Sequence, residues 1–373
     1  MIVGKLTFTG THNRASMTAP KITASGTVSA IDLTAADVIQ RKRCPVCGGV
    51  DAIFYVELVF RSTPIPYQRC RDCDLVFMNP VPNQAWYDRL YGQAFWETKS
   101  TQAGPETMQA RQTQLIKQLQ RAQKLCAVLD RAGRSPAPGA RILEIGCAFG
   151  LIVSTIAERY QAAPFGVEPS ELAASFAETL GGVEIIAPTI EQLSESEPDQ
   201  PMDMIMFSHV MENVVDLNVV FRTLERWLAP NGIVLMETPN STVKDSTHIY
   251  HPYCFSRMSL RHLFDRNGYE IISLDASGRP SSAIVPRYLT LVAIQRTEAT
   301  DAEPPSLGDA KSSWKRRFGH GWRRTVNHTP LVHFDRALTK LLYAPDAAVK
   351  QRANELAQAH IVHDASNGEI SQP

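Results

Sequence analysis

No sign of charge dominates this chain: 38 basic and 38 acidic side chains cancel to a formal net charge of zero. That balance argues against a surface built to coat nucleic acid and leaves room only for a local patch. No apolar run approaches the ~20 residues that a bilayer-spanning helix needs. The opening stretch, MIVGKLTFTGTHNRASMTAP, lacks a continuous apolar segment of secretory-signal length. Internal repeats are absent, and no pattern sets an oligomeric state. These absences point to a protein of the cytoplasm, without a membrane span, for which nucleic acid is an unfavoured partner.

Cysteine is present, in an informative arrangement. Four of the seven cysteines form two C-x2-C pairs, Cys44/Cys47 and Cys70/Cys73, with 22 residues between the pairs. Without a secretion signal such pairs read as metal ligands rather than disulfides. The gap fits a short hairpin around AIFYVELVF, so CPVCGG and CRDCDLVF become the two knuckles of a zinc ribbon. Gly48 suits the first knuckle turn, and Asp74 takes the matching place in the second, because Asp tolerates the left-handed region. Four thiolates fill a tetrahedral site and leave no open position for water, so the zinc is expected to be structural. Cys126, Cys147 and Cys254 are scattered and read as reduced thiols.

Composition divides the chain into five segments. Residues 1–40, rich in Thr, Ser and Ala, are expected to be a flexible tail. Residues 41–80 are the ribbon. Residues 81–135 read as a helical cap, first the aromatic NQAWYDRLYGQAFWE, then a long amphipathic helix ending at Gly133. Tyr87, Tyr91 and Phe95 in that cap are candidates to face a ligand. Residues 136–297 alternate strands (RILEI, PFGVE, VEIIA, MDMIMF, GIVLME, YEIISLDA, YLTLVAIQ) with helices. Residues 298–373 give a polar linker, the basic stretch KSSWKRRFGHGWRR, and a helix over FDRALTKLLYAPDAAVKQRANELAQAH. The fold class is therefore α/β: a doubly wound, Rossmann-like, mainly parallel sheet. Its last two strands are expected to form an antiparallel pair at one edge. The basic stretch reads as a solvated face.

In such a sheet, ligands bind beyond the carboxyl ends of the strands. RILEIGCAFG places a turn at such an end, but from Gly146 it runs G-C-A-F-G-L, so the glycine spacing of a dinucleotide loop fails. The alternative pattern is E-x-G-x-G-x-G, a loop for S-adenosyl-L-methionine, with Glu144 two residues before Gly146. Cys147, Ala148 and Gly150 complete it, and Cys147 would present its backbone rather than its thiol. Glu168, 22 residues after Gly146 in PFGVEPS, is placed to accept hydrogen bonds from both ribose hydroxyls. Pro169 follows it. Thr189 and Ile190 in PTIEQL are placed for the adenine amine and face, and Ser208 and His209 at the end of MDMIMFSH for the remaining pocket.

On CPVCGG, CRDCDLVFMNP, RILEIGCAFG, GVEPS, MDMIMFSHVMENVVDLNVVFRTLERWLAPNGIVLMETPN and HIYHPYCFSRMSLRHLFDRNGYEI, residues 41 to 296 resemble the class I S-adenosylmethionine-dependent methyltransferases. The likeness is to the subgroup with an N-terminal zinc ribbon, found in bacterial surface-polysaccharide and natural-product pathways. The resemblance implies a methyltransferase sheet, S-adenosyl-L-methionine and structural zinc as cofactors, and a small-molecule acceptor. Three residues depart from the pattern. Ala148 replaces the middle glycine, Thr189 stands where an acid is common, and Asn213 replaces the histidine of the family's LEH.

Methyl transfer is an in-line displacement, so alignment does most of the work. A base is needed only where the nucleophile carries a proton, and histidine suits neutral pH. Candidates are His209 after the fourth strand and His248, Tyr250 and His251 after the fifth. In the related sugar C-methyltransferases a Glu-His pair lies in a segment similar to IYHPYCFS. Aligned on Phe255-Ser256, His251 matches the histidine, while Tyr250 stands in the glutamate's place. His251 is thus the implied base, His209 a pocket residue or second candidate, and Glu212 a residue capping or solvating the following helix. The expected reaction is methylation of an oxygen or nitrogen, with carbon as a variant, on a sugar, glycan or secondary metabolite. A second class of function is a catalytically inactive methyltransferase fold serving as a binding or scaffold protein. Nucleic-acid methylation is disfavoured by the neutral charge and by the lack of an N/D-P-P-Y/F motif.

Overall fold

The computed structural model describes residues 33–60, 63–91, 108–243, 246–296, 319, 321–322, 325–326 and 329–366. Residues 1–32 of the expected tail, Phe95, and most of the basic stretch 311–324 lie outside the described residues.

After a 3-10 turn at Ala35–Asp37, β1 (Val38–Ile39) makes a small antiparallel pairing with β5 (Val81–Pro82). Between them, β2 (Ala52–Phe60), β3 (Thr63–Cys70) and β4 (Val76–Met78) form an antiparallel meander. Its fourth strand comes from far along the chain: Tyr253–Cys254 pairs with Val76 and Phe77 of β4. The hairpin expected between the cysteine pairs is thus present, and its sheet is completed by the second half of the chain. Helix α1 (Gln84–Tyr91) follows, then α2 (Met108–Arg131).

The main sheet has seven strands: β6 (Arg141–Ile145), β7 (Ala163–Val167), β8 (Glu184–Ala187), β9 (Met202–Ser208), β10 (Leu228–Pro239), then β12 (Tyr269–Ser277) and β13 (Tyr288–Gln295). Strand β11 is Tyr253–Cys254 of the smaller sheet. The order is β12-β13-β10-β9-β6-β7-β8. Five strands are parallel; β13 runs antiparallel to both β10 and β12, so the predicted antiparallel edge pair is present. Helices α3 (Leu151–Tyr160), α4 (Glu171–Gly181), α5 (Ile190–Glu195), α6 (Leu217–Trp227) and α7 (Arg257–Arg266) connect the strands.

Strands β6 and β9 are largely apolar on both faces because both faces are covered, with Glu144 the buried exception in β6. Their alternate residues feed two cores. Leu143, Ile145, Ile205 and Phe207 pack with Val220 and Leu224 of α6 and Leu263 and Phe264 of α7. Ile142, Met204 and Met206 pack with Leu125 and Leu129 of α2 and Val153 and Ile156 of α3. Helix α2 is therefore one layer of the main domain, and the boundary between a cap at 81–135 and a domain at 136–297 does not follow the packing. The first core also contains Cys44, Val46, Cys70, Cys73, Leu75 and Phe77, so the cysteine hairpin shares it.

The C-terminal helical segment is two helices, α8 (Leu331–Leu342) and α9 (Ala347–Ser366), rather than one. Pro345 lies at the break, where a proline interrupts the helical hydrogen-bond ladder. Val349, Ala353, Leu356 and Ala357 of α9 pack on Leu115 and Leu119 of α2. No helix among the described residues is long and apolar enough to cross a membrane.

Candidate active site

The chain enters the sheet at β6, adds β7 and β8 on one side, then crosses to β9 on the other. The crevice between the carboxyl ends of β6 and β9 is the switch point where such sheets bind ligands. Two segments meet there: residues 146–150 after β6, and Ser208-His209 at the end of β9.

The 146–150 loop is a succession of left-handed turns, with φ of +67° at Gly146, +49° at Ala148 and +68° at Gly150. The glycines also permit close packing. A Cβ at Gly146 would lie 2.7 Å from Val210, and one at Gly150 would lie 2.9 Å from the Cβ of Ala177. Gly146 and Cys147 donate their N–H groups to the Val167 carbonyl at 2.8 and 3.1 Å, tying the loop to β7. The Cys147 side chain is buried, and burial followed by the Glu144 and Glu168 charges pushes its thiol well above the ordinary range. A buried thiol held protonated is a poor nucleophile.

Glu168, 5% exposed, accepts from the Ala148 N–H at 2.8 Å and from the Ser170 N–H at 3.0 Å, one bond on each carboxylate oxygen. Burial raises its pKa, and those two backbone donors act against the shift. Each oxygen keeps a second lone pair for a ligand donor. Exposed Pro169 leads from it into Ser170, the N-cap of α4. Glu144, 1% exposed, accepts from the Val153 N–H at 3.1 Å, satisfying a donor in the first turn of α3. Thr189 is the N-cap of α5, its hydroxyl accepting from Gln192 at 3.2 Å, and Ile190 is buried beside Leu193. The Ser208 hydroxyl is buried at the crevice without a hydrogen-bond partner among the described residues.

His209 adopts φ +60°, unusual for a residue with a side chain. Its Nδ1 lies 3.2 Å from Glu212 and its Nε2 3.6 Å from Glu237, and its ring meets Tyr288 edge-on at 5.3 Å. Both nitrogens face carboxylates, so the ring is held rather than poised as a base. Glu212 is 1% exposed and also accepts from the Thr238 hydroxyl at 3.1 Å. It does not cap or solvate the next helix: Asp216 caps α6. Burial opposes ionisation of Glu212, but the contact and charge of His209, then the charge of His251, leave its pKa lowered. Glu237 at the end of β10 gathers Arg121 (2.9 Å), Lys124 and the Thr290 hydroxyl (3.0 Å). Arg121 and Lys124 both come from α2 and lie over the Tyr288 ring at 5.5 Å. This Arg121–Lys124–Glu237 cluster was missed from sequence. The available signal was a carboxylate set inside the apolar strand GIVLMETP.

His251 lies in the segment leading to β11. Its Nδ1 is 2.7 Å from the Ser246 carbonyl. A carbonyl only accepts, so Nδ1 carries the proton and a neutral ring keeps its lone pair on Nε2. Tyr250 stacks on His248 at 4.7 Å, and its N–H reaches His248 Nδ1 at 3.3 Å. Tyr253 N–H to the Glu212 carbonyl, at 3.4 Å, links this segment to the one bearing His209. Tyr87, a candidate to face a ligand, is 1% exposed and donates to the Ile249 carbonyl at 2.8 Å, so it braces this segment instead. The side chains of Tyr91 and Phe95 lie outside the described residues.

The ligand atoms of Cys44, Cys47, Cys70 and Cys73 all lie within 4.8 Å of one another. Sγ pairs 44/73 and 47/70 are each 3.5 Å apart. The knuckles are alike. Gly48 donates to the Cys44 carbonyl and Asp74 to that of Cys70, with φ of +77° and +61°. Asp74 thus takes the left-handed turn expected of it, and Arg69 pairs with its carboxylate at 2.5 Å.

Residues 117–274 match the family model described as a methyltransferase domain. The ubiquinone biosynthesis O-methyltransferase of Rhizobium etli (strain CIAT 652) is 33% identical over 128 residues, covering 32% of this chain and 50% of that protein. A protein of the same description from Caulobacter sp. (strain K31) is 36% identical over 120 residues, covering 31% and 47%. The chain thus spans about half the length of the curated relatives it matches. Among solved structures, magnesium protoporphyrin IX methyltransferase from Synechocystis PCC 6803 aligns with 57% of this chain and 100% of that one, at 12% identity and a TM-score of 0.41. Across residues 117–274 the chain is thus similar to methyltransferase domains.

Proposed function

We propose that this protein transfers the methyl group of S-adenosyl-L-methionine to an oxygen or nitrogen of a small molecule, with carbon as a variant acceptor. A sugar, glycan or secondary metabolite of polysaccharide or natural-product assembly suits the reading, and the O-methyltransferase names of the relatives favour oxygen. One observation carries it. A left-handed loop, a buried carboxylate with free lone pairs and a buried hydroxyl that has no partner among the described residues meet at the switch point of the sheet.

These residues fit the cofactor. Glu168 would accept from the ribose hydroxyls, and Thr189, with one lone pair given to Gln192, would use the other for the adenine amine. Ile190 would offer apolar contact to the adenine, while Glu144, Gly146, Cys147, Ala148 and Gly150 would set the backbone against the methionine part. Pro169, Ser208 and His209 complete the pocket. When bound, the cofactor supplies an electrophilic methyl group on a sulfonium. Nε2 of His251 would take the acceptor's proton, since Nδ1 is engaged with Ser246. His209 would shape the pocket between Glu212 and Glu237, and Tyr250 would line the acceptor side.

The four cysteines suit zinc. Tetrahedral thiolates at ~2.3 Å from the ion lie about 3.8 Å apart, close to the 3.5 Å pairs here. Such a site is closed, so the metal would be structural.

The test is methyl-labelled cofactor offered with panels of phenols, sugars and amines. Label is expected in an ether or amine methyl. His251→Ala is expected to cut the rate by about 10²–10⁴-fold for an acceptor that must lose a proton. Cofactor binding with no transfer to any acceptor class would replace the enzyme reading with that of a binding protein.

A further inference from the structure

The segment that carries His251 is held from the side of the cysteine hairpin. Strand β11 lies at the edge of the hairpin's sheet, not in the seven-stranded sheet. Immediately before it, the Pro252 carbonyl accepts from the Met78 N–H of β4 at 2.9 Å. One step further back, the fully buried Tyr67 of β3 sets its hydroxyl between the two ends of the turn. It accepts from the His248 N–H at 3.1 Å and lies 2.7 Å from the His248 carbonyl and 2.9 Å from that of His251. A phenol has one proton, so it serves one carbonyl at a time while accepting from the amide. Tyr87 of α1 holds the Ile249 carbonyl at 2.8 Å. Inside the turn, His251 N–H donates to the His248 carbonyl at 2.8 Å. The backbone of this segment is thereby held at residues 248, 249, 251 and 252 by β3, β4 and α1.

We propose that Tyr67 and Tyr87 are positioning residues that set the tautomer and direction of the His251 imidazole, making the hairpin the frame of the proton-accepting group. The proposal rests on the reading of His251 as the base. Its physical content is short. The Ser246 carbonyl selects the Nδ1–H tautomer only while backbone and ring stay opposite each other at 2.7 Å. Freeing the turn lets the ring rotate and exchange tautomers, and Nε2 no longer points one way. Both tyrosines are buried and their hydroxyls meet backbone of this segment, that of Tyr87 lying also 3.7 Å from Met78 Sδ, so they act on His251 through main-chain geometry.

The experiment uses the full-length protein with ¹⁵N-labelled histidine, as wild type, Tyr67→Phe and Tyr87→Phe. Wild type is expected to show His251 as a single Nδ1–H tautomer. In Tyr67→Phe the ring nitrogen signals move toward a tautomer average. The His248 amide exchanges with solvent at least tenfold faster, because it has lost its acceptor. The knuckle amides of Gly48 and Asp74 keep their protection. Tyr87→Phe changes the ring signals in the same direction, and it decides the matter alone should Tyr67→Phe fail to fold. A wild-type ring in the Nε2–H form, or ring signals and exchange rates unchanged in both variants, would overturn the proposal. Calorimetry with S-adenosyl-L-methionine on the same samples separates the two levels. Both variants are expected to bind as wild type does, whereas a wild type that does not bind contradicts the methyltransferase reading.

Discussion

Ala148 holds a left-handed backbone at φ +49°, where an L side chain crowds the following carbonyl. Its N–H bond to Glu168 keeps it there. Ala148→Gly is therefore expected to stabilise the fold by about 1 kcal/mol in urea denaturation, with cofactor affinity unchanged. A large gain in affinity would instead mean that the methyl crowds the ligand. Glu144 yields a second prediction. Burial pushes its pKa from 4.5 up to about 8, so between those values the folded state keeps a proton that the unfolded state has lost. Its contribution to stability is complete below the lower value and is lost as pH rises through the upper one, with a slope of up to ~1.4 kcal/mol per pH unit. Glu144→Gln, neutral throughout, is expected to be more stable than wild type at pH 8, with the gap closing toward pH 5. Denaturation curves at four pH values check this, and a gap that widens toward acid would contradict it.

At the scale of elements, α2 is joined to the sheet by ions as well as by apolar packing. Arg121 and Lys124 reach over Tyr288 to Glu237. Burial, then the charges of Arg121 and Arg279, push Lys124 down to about 7, while its contact with Glu237 favours the charged form. The close pairing, with Thr290 also donating to Glu237, is the arrangement of a charged lysine. Breaking a buried pair from one side strands the other charge. Glu237→Gln is expected to cost about 3 kcal/mol in chemical denaturation; a loss near zero would show that solvent reaches the two cations. The strands, their order class and the knuckle turns were legible in the sequence, because each depends on local period or on φ-tolerant residues. The place of α2 was not: an amphipathic helix looks the same whether it caps a domain or forms one of its layers. Glu212 and Glu237 were misread or missed for a related reason. Sequence shows a carboxylate but not the histidine or lysine that the topology brings to it. The loop around Gly146 and the acid at Glu168 were readable because they follow their strands directly. The bracing of His251 by Tyr67 and Tyr87 was not, since it joins residues more than 150 positions apart.

For the whole molecule, the cysteine hairpin is continuous with the main core and takes its last strand from residues 253–254. A metal held there would therefore support more than the hairpin. Stripping metal from the full-length protein with a chelator is expected to lower the thermal midpoint by roughly 5 °C or more, since binding energy at such sites is folding energy. Proteolysis is expected to become faster within residues 246–256. An unchanged midpoint after verified metal loss would show that the four cysteines are held by packing alone. The central claim concerns the switch point itself, and titration calorimetry of S-adenosyl-L-methionine against wild type and Glu168→Ala tests it most directly. The account predicts binding by wild type with a Kd on the order of micromolar and at least a tenfold loss, about 1.4 kcal/mol, in Glu168→Ala. No binding by the wild type, or equal affinity in the two proteins, would contradict it.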